Sequence, residues 1–175
     1  MKRAKRIIVG HAKYFGVSVL IYAGAMFLGI IISPNTRLSI NPTQMYFTDT
    51  LLHNGLIGLG MLILGIITFG IFNTFFLACN AFYLGVTVIG VYNSYGIAPL
   101  LSGVLPHAIT EIMAILISCT LGYESLRFEK IVKKNATAEI KEKIYISDIV
   151  ILMGVAFILY TVSAIIETNV ARVNI

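Results

Sequence analysis

The sequence predicts an all-α, polytopic membrane protein with five transmembrane helices, and three observations predict it. Hydrophobic residues make up 58% of the 175-residue chain and charged residues 12%, about half the share of a soluble domain, which is roughly 25%. Mean hydropathy is +0.89. No Asp, Glu, Lys or Arg occurs from Thr50 to Thr110, a stretch that membrane spans and their turns explain. These values exclude a soluble globule and a disordered chain. The net charge of +5 is no nucleic-acid signature, because the basic residues flank apolar runs, where lipid headgroups and membrane orientation account for them.

The first span runs from about Tyr14 to Ser33 and stops at Pro34, since proline cannot continue a helix without losing a hydrogen bond. It is too long for the apolar part of a cleavable signal, and its small residues Ala23 to Ala25 lie mid-run rather than at its end. A polar segment with Asn35, Arg37, Asn41, Pro42 and Asp49 follows. The second span covers about Thr48 to Phe72 and the third about Asn73 to Tyr92, with almost no connector. After a turn through Asn93 to Gly96, the fourth span extends from about Pro99 to Gly122. A charged loop, residues 123–147, precedes the fifth span, about Asp148 to Val170. Each is near the ~20 residues that cross ~30 Å of hydrocarbon at 1.5 Å per residue. All belong to one domain, residues 1–175.

Lysine and arginine set the orientation. Lys2, Arg3, Lys5, Arg6 and Lys13 precede the first span, and Arg127, Lys130, Lys133, Lys134, Lys141 and Lys143 follow the fourth. Only Arg37 and Arg172 lie elsewhere. The positive-inside rule makes both clusters cytoplasmic, which requires an even number of crossings between them. Four crossings put the N-terminus inside and the C-terminus outside. Tyr46, Tyr92 and Tyr95 then fall at the outer interface, with Tyr14, Tyr123 and Tyr145 near the inner one. Cys79 and Cys119 lack C-x-x-C spacing and read as small core residues. Asn135-Ala-Thr137 matches a glycosylation acceptor by chance, on the cytoplasmic side.

Polar residues inside the spans mark the candidate site, because a charge at the centre of a membrane helix costs ~2.5 to 3.5 kcal/mol on translocon scales. They are His53 with Asn54, His107, Glu111 and Glu167. The topology puts all of them in the outer half of the bundle. His107 and Glu111 are four residues apart and share a helix side, which continues through Gly103, Ala114, Ser118 and Gly122. Leu101, Leu105, Ile109, Ile112 and Leu116 form the opposite, lipid-facing side. Asn54, Gly58 and Gly65 make a small-residue stripe on the second span. Asn73, Asn80 and Thr87 recur every seven residues on the third, and Tyr160, Ala164 and Glu167 share a side of the fifth. Small faces of this kind pack membrane helices closely.

One chemistry that suits this set is a metal centre. His53, His107, Glu111 and Glu167 would supply the mixed nitrogen and carboxylate shell of a catalytic zinc, whose bound water attacks a peptide bond, with Glu111 or Glu167 handling the proton and Asn54 and Asn80 in support. Two other readings stand beside it: a hydrogen-bonded network that staples helices, and a proton or ion path.

Leu105-Pro-His-Ala-Ile-Thr-Glu through Gly122 resembles the Pro-His-Gly-x-x-Glu helix of the stage II sporulation protein M family. Phe47 to Gly55, with His53 and Asn54, is similar to that family's Asn-Asn segment, and Ser163-Ala-Ile-Ile-Glu167-Thr resembles its closing Ile-Glu-Ala stretch. Ala108 replaces the usual Gly, His53 replaces a common Asn, and a Pro that often follows the closing motif is missing. The resemblance implies a multi-pass prokaryotic cell-membrane protein. It also implies one of two settings: remodelling of septal peptidoglycan during sporulation, or maturation and export of circular bacteriocins, with leader removal and cyclisation among the implied steps. The implied partners are membrane lipid, a peptide substrate, other membrane proteins or further copies of the chain, and no nucleic acid.

Overall fold

The computed structural model describes residues 2–38, 46–137 and 145–170. Asn41, Pro42, Lys141, Lys143 and Arg172 lie outside the described residues. Six α-helices follow one another: α1 (Lys2–Ile32), α2 (Phe47–Ile67), α3 (Ile71–Tyr95), α4 (Leu105–Gly122), α5 (Glu124–Thr137) and α6 (Ile146–Val170). Five of the helical segments are long and apolar enough to cross a membrane. The chain is therefore a multi-pass membrane protein of the expected span number, and its helix bounds differ from the expected ones mostly at the ends.

Two ends differ for identifiable reasons. The basic N-terminal segment is the first turns of α1 rather than an extension outside it, because long cationic side chains keep their heads in water while their stems follow the helix. In the charged segment after the fourth span, where a solvated helix or loop is expected, Glu124–Thr137 form helix α5. Its Glu124 in the first turn and Lys134 in the last suit the helix dipole. Between α2 and α3, Phe69 (φ 51°) and Gly70 (φ 83°) take left-handed conformations, which turns the chain back on itself within three residues.

Helix α4 is the centre of the bundle. It packs against α1, α2, α3 and α6, while α1 pairs along α3 and α2 along α6. Every residue from Ala114 to Gly122 is buried, so Leu116 sits in the core and not in lipid, and the lipid-facing stripe is confined to the first half of α4. The outer surface is the reverse of a soluble protein's. Leu20, Phe27, Phe75 and Phe157 are all more than half exposed, a surface that suits hydrocarbon and not water. Cys119 is buried as expected, whereas Cys79 is exposed on the lipid side of α3.

With little hydrophobic drive between helices in lipid, close packing and hydrogen bonds hold them together. A side chain on Gly29 would run into the Phe82 carbonyl, and one on Gly85 into the Met26 carbonyl, so α1 and α3 touch backbone to backbone. Asn73, fully buried, donates from Nδ2 to the Cys119 carbonyl at 2.8 Å and fills the space beside Gly122. Tyr14 and Tyr123 stack with ring centroids 5.6 Å apart. This contact joins α1 to the end of α4, with Tyr123 buried and Tyr14 half-buried. Tyr46, Tyr92 and Tyr95 are exposed at the opposite end.

Candidate functional site

The start of α4 is built around Pro106. Proline has no N–H to give to the carbonyl one turn back, and the turn before it, Leu100–Val104, widens into a π-helical turn closed by Leu105 N–H on the Leu100 carbonyl. Such wide turns often occur at functional sites. The inserted residue rotates what precedes it, so Gly103 leaves the packed side that His107 and Glu111 begin, and nothing lies within 4 Å of where its side chain would be.

His107 and Glu111 line a single cavity of ≈ 220 Å³ together with Tyr22 of α1 and Asn80, Tyr83 and Thr87 of α3. Their Cα atoms are about 6 Å apart along the helix axis. His107 Nδ1 is buried and has no hydrogen-bond partner, although buried polar atoms are nearly always paired. From α6, Ser163 donates to the His107 carbonyl at 3.2 Å, which fixes this turn against α6. Glu167, one turn further along α6 and half-buried, lies within electrostatic reach of Glu111. Tyr22 is also within reach of Glu111. The cavity thus gathers a carboxylate, an imidazole with a free nitrogen, an amide and three hydroxyl groups, with Glu167 as a second carboxylate nearby. Such a group can bind and pass a proton, or hold a polar ligand.

The structure separates the expected residues into two sets. His107, Glu111 and Asn80 come together, with Glu167 near them. His53 does not join them: it is exposed on α2 and lines a second cavity with Leu56, Ile57, Gly60, Phe72 and Phe76. Adjacent helical residues point about 100° apart, and in α2 the inward position goes to Asn54, which is buried with Nδ2 unpartnered. Among the described residues no three His, Cys, Asp or Glu side chains stand close enough to hold a metal ion.

A second polar cluster, at the other end of the bundle, has no counterpart in the sequence reading. His11 of α1 is buried, with Nδ1 2.8 Å from the Ile7 carbonyl and Nε2 2.8 Å from Glu124 Oε1. Arg127 donates to Glu124 Oε2 at 3.0 Å and lies 3.3 Å from His11 Nε2. Nearby, Arg6 grips the buried Asp148 through Nε at 2.7 Å and Nη2 at 2.5 Å, and sits 3.6 Å over the Tyr145 ring. A histidine within a basic segment gives no warning from composition. The spacing of His11, Ser18, Tyr22 and Gly29 on one side of α1 was the available signal, since all four are buried.

Three comparisons bear on this arrangement. A family model described as Stage II sporulation protein M matches residues 14–172, nearly the whole chain. No curated protein matches it, and no solved structure does.

Proposed function

The chain belongs to the stage II sporulation protein M family, and from that premise we propose that it acts in the cell membrane in the maturation or export of a secreted peptide, with His107 and Glu111 as its proton-handling pair. One observation carries this reading: His107, whose buried Nδ1 has no hydrogen-bond partner, lines the same small cavity as Glu111. Ionisable residues persist in membranes where they face a cavity and have work to do, such as substrate binding or proton relay. Here His107 Nδ1 and the Glu111 carboxyl take and return a proton to a polar group or water in the cavity, Asn80 and Thr87 orient that group, and Glu167 is the second carboxylate along the path.

The test has two parts. Infrared difference spectra of the reconstituted protein across a pH change should contain a carboxylic-acid band that disappears in Glu111→Gln. Cells carrying Glu111→Gln at normal protein level should release no mature peptide. A normal peptide yield from that variant would replace this reading with a helix-stapling scaffold in a sporulation or cell-wall complex. A second reading, a zinc-dependent peptidase, draws on the same free His107 nitrogen. It requires about one zinc per purified chain, lost in His107→Ala, and finding that would favour it over proton handling.

A further inference from the structure

Two titratable clusters stand near opposite ends of α4, the His107–Glu111 cavity and the group of His11, Glu124 and Arg127. One side of α1 runs from the first to the second. Tyr22 lines the cavity, and His11 belongs to the other cluster. Ser18 and Tyr14 lie between them on the same side, so a hydroxyl group recurs at each turn, and His11 and Tyr22 are only about 16 Å apart along the helix axis.

The neighbouring helices supply matching groups. Tyr160 of α6 is within electrostatic reach of both Glu111 and Cys119, and its Oη lies 3.3 Å from Ser118 Oγ. Cys119 is within hydrogen-bonding reach of Ser18 and of Tyr123. Thr74 donates to the Gly70 carbonyl at 2.9 Å, so Tyr123 Oη donates to Thr74 Oγ1, 2.7 Å away. The Tyr123 ring stacks on Tyr14, whose Oη is buried without a partner, although buried polar atoms are nearly always paired.

The chemistry of this series is uniform. Each hydroxyl or thiol carries one proton and can also accept one, so a proton can enter at one end as another leaves at the other. A network that only staples helices needs neither this uniformity nor a titratable cluster at each end. Packing restricts what could pass. A side chain on Gly58 would meet Tyr160 Oη at 2.9 Å and Ser118 Oγ at 3.0 Å, and one on Gly122 would strike Asn73, which leaves no room for a hydrated metal ion.

We propose that these groups form a proton path through the bundle, from Glu111 through the hydroxyl and thiol groups of Tyr160, Cys119, Tyr123 and Tyr14 to Glu124. One proton is taken up at Glu111, each group passes on its own proton as it receives its neighbour's, and one proton is released at Glu124. No bond between heavy atoms changes and no electron moves. The inference rests on the proton-handling reading of Glu111 and adds where its proton goes.

The full-length protein is reconstituted in liposomes that contain a pH-sensitive dye, and a potassium gradient with valinomycin makes the lumen negative. The wild type should acidify the lumen at least about tenfold faster than empty liposomes, and equally fast in sodium and in choline buffers. Tyr14→Phe and Cys119→Ala each remove a relaying group with little other change, and both should fall to the rate of empty liposomes while circular dichroism stays unchanged. Cys119→Ser restores a group that can give and take a proton, and should recover the flux. Tyr123→Phe replaces Cys119→Ala where the latter perturbs folding. Wild-type liposomes no faster than empty ones overturn the proposal, as do rates that neither Tyr14→Phe nor the second variant lowers. The infrared band of Glu111 separates this failure from that of the reading beneath it: a band without flux removes the path alone, and a missing band removes both.

Discussion

The imidazole of His11 has one arrangement forced on it by its neighbours. The Ile7 carbonyl only accepts, so Nδ1 must carry a proton, and Nε2 is left between the Glu124 carboxylate and the Arg127 guanidinium. Removing one member strands the others in a site where His11 and Glu124 side chains are only 6% and 9% exposed. Breaking a buried pair of this kind costs about 3 to 5 kcal/mol. Glu124→Ala should therefore lower the unfolding temperature in mild detergent markedly, and His11→Ala added to it should cost little more, because the two share one interaction. Additive losses would show that the residues act separately. His53→Ala, by contrast, should change stability by no more than about 0.5 kcal/mol, as expected of an exposed position away from packed features. The polar residues most visible in the sequence are thus not equally important. His107 and Glu111 could be found by their spacing on a single apolar helix, whereas His53 could not be placed: which of two adjacent residues turns inward is decided by the helix packed opposite. His11 was hidden because a histidine among lysines and arginines looks solvated.

At the scale of elements, two contacts determine the geometry of the bundle. The close approach of α1 to α3 rests on Gly85, and Gly85→Leu should force the helices apart, at about 1 to 3 kcal/mol or more. Weaker cross-linking between cysteines placed on facing positions of α1 and α3 would measure the separation. The π turn before α4 rests on Pro106. Pro106→Ala restores an N–H and should let the turn relax toward a regular α-helix, rotating Gly103 and the residues before it relative to His107; an unchanged label-to-label distance between positions 101 and 109 in spin-echo spectroscopy would refute that link. Span positions were legible to within a few residues because hydropathy is a one-dimensional signal. The π turn and the bend at Tyr123 were not, since both arise from a local change of hydrogen-bond register that leaves composition untouched. Helix α5 is amphipathic and short, with too little apolar length to register as a span, so the sequence leaves a solvated helix and a loop equally open there.

For the whole molecule, five helices are long and apolar enough to cross a membrane, and the positive-inside rule predicts the N-terminus inside and the C-terminus outside. In a variant with Cys79 and Cys119 replaced, a membrane-impermeant thiol reagent added outside intact cells should label Asn169→Cys and not Lys5→Cys. Labelling of both from one side would require an even number of crossings. The bundle's central helix is surrounded on four sides, and the lipid-facing helices take most of their contacts from hydrocarbon, so core substitutions in α4 should be felt more than any on the outer faces of α1 or α6. The clamp between Arg6 and Asp148 has a further consequence, one of timing. Its partners are 142 residues apart, and at roughly 5 to 20 residues per second a ribosome needs about 7 to 28 s to synthesise what lies between them. The first helix to enter the membrane therefore waits, its guanidinium at the lipid surface, until nearly the whole chain has been made. The bundle is closed by its earliest and latest segments together, and a chain cut short before Asp148 would leave the ribosome with the first helix in place and its clamp unmade.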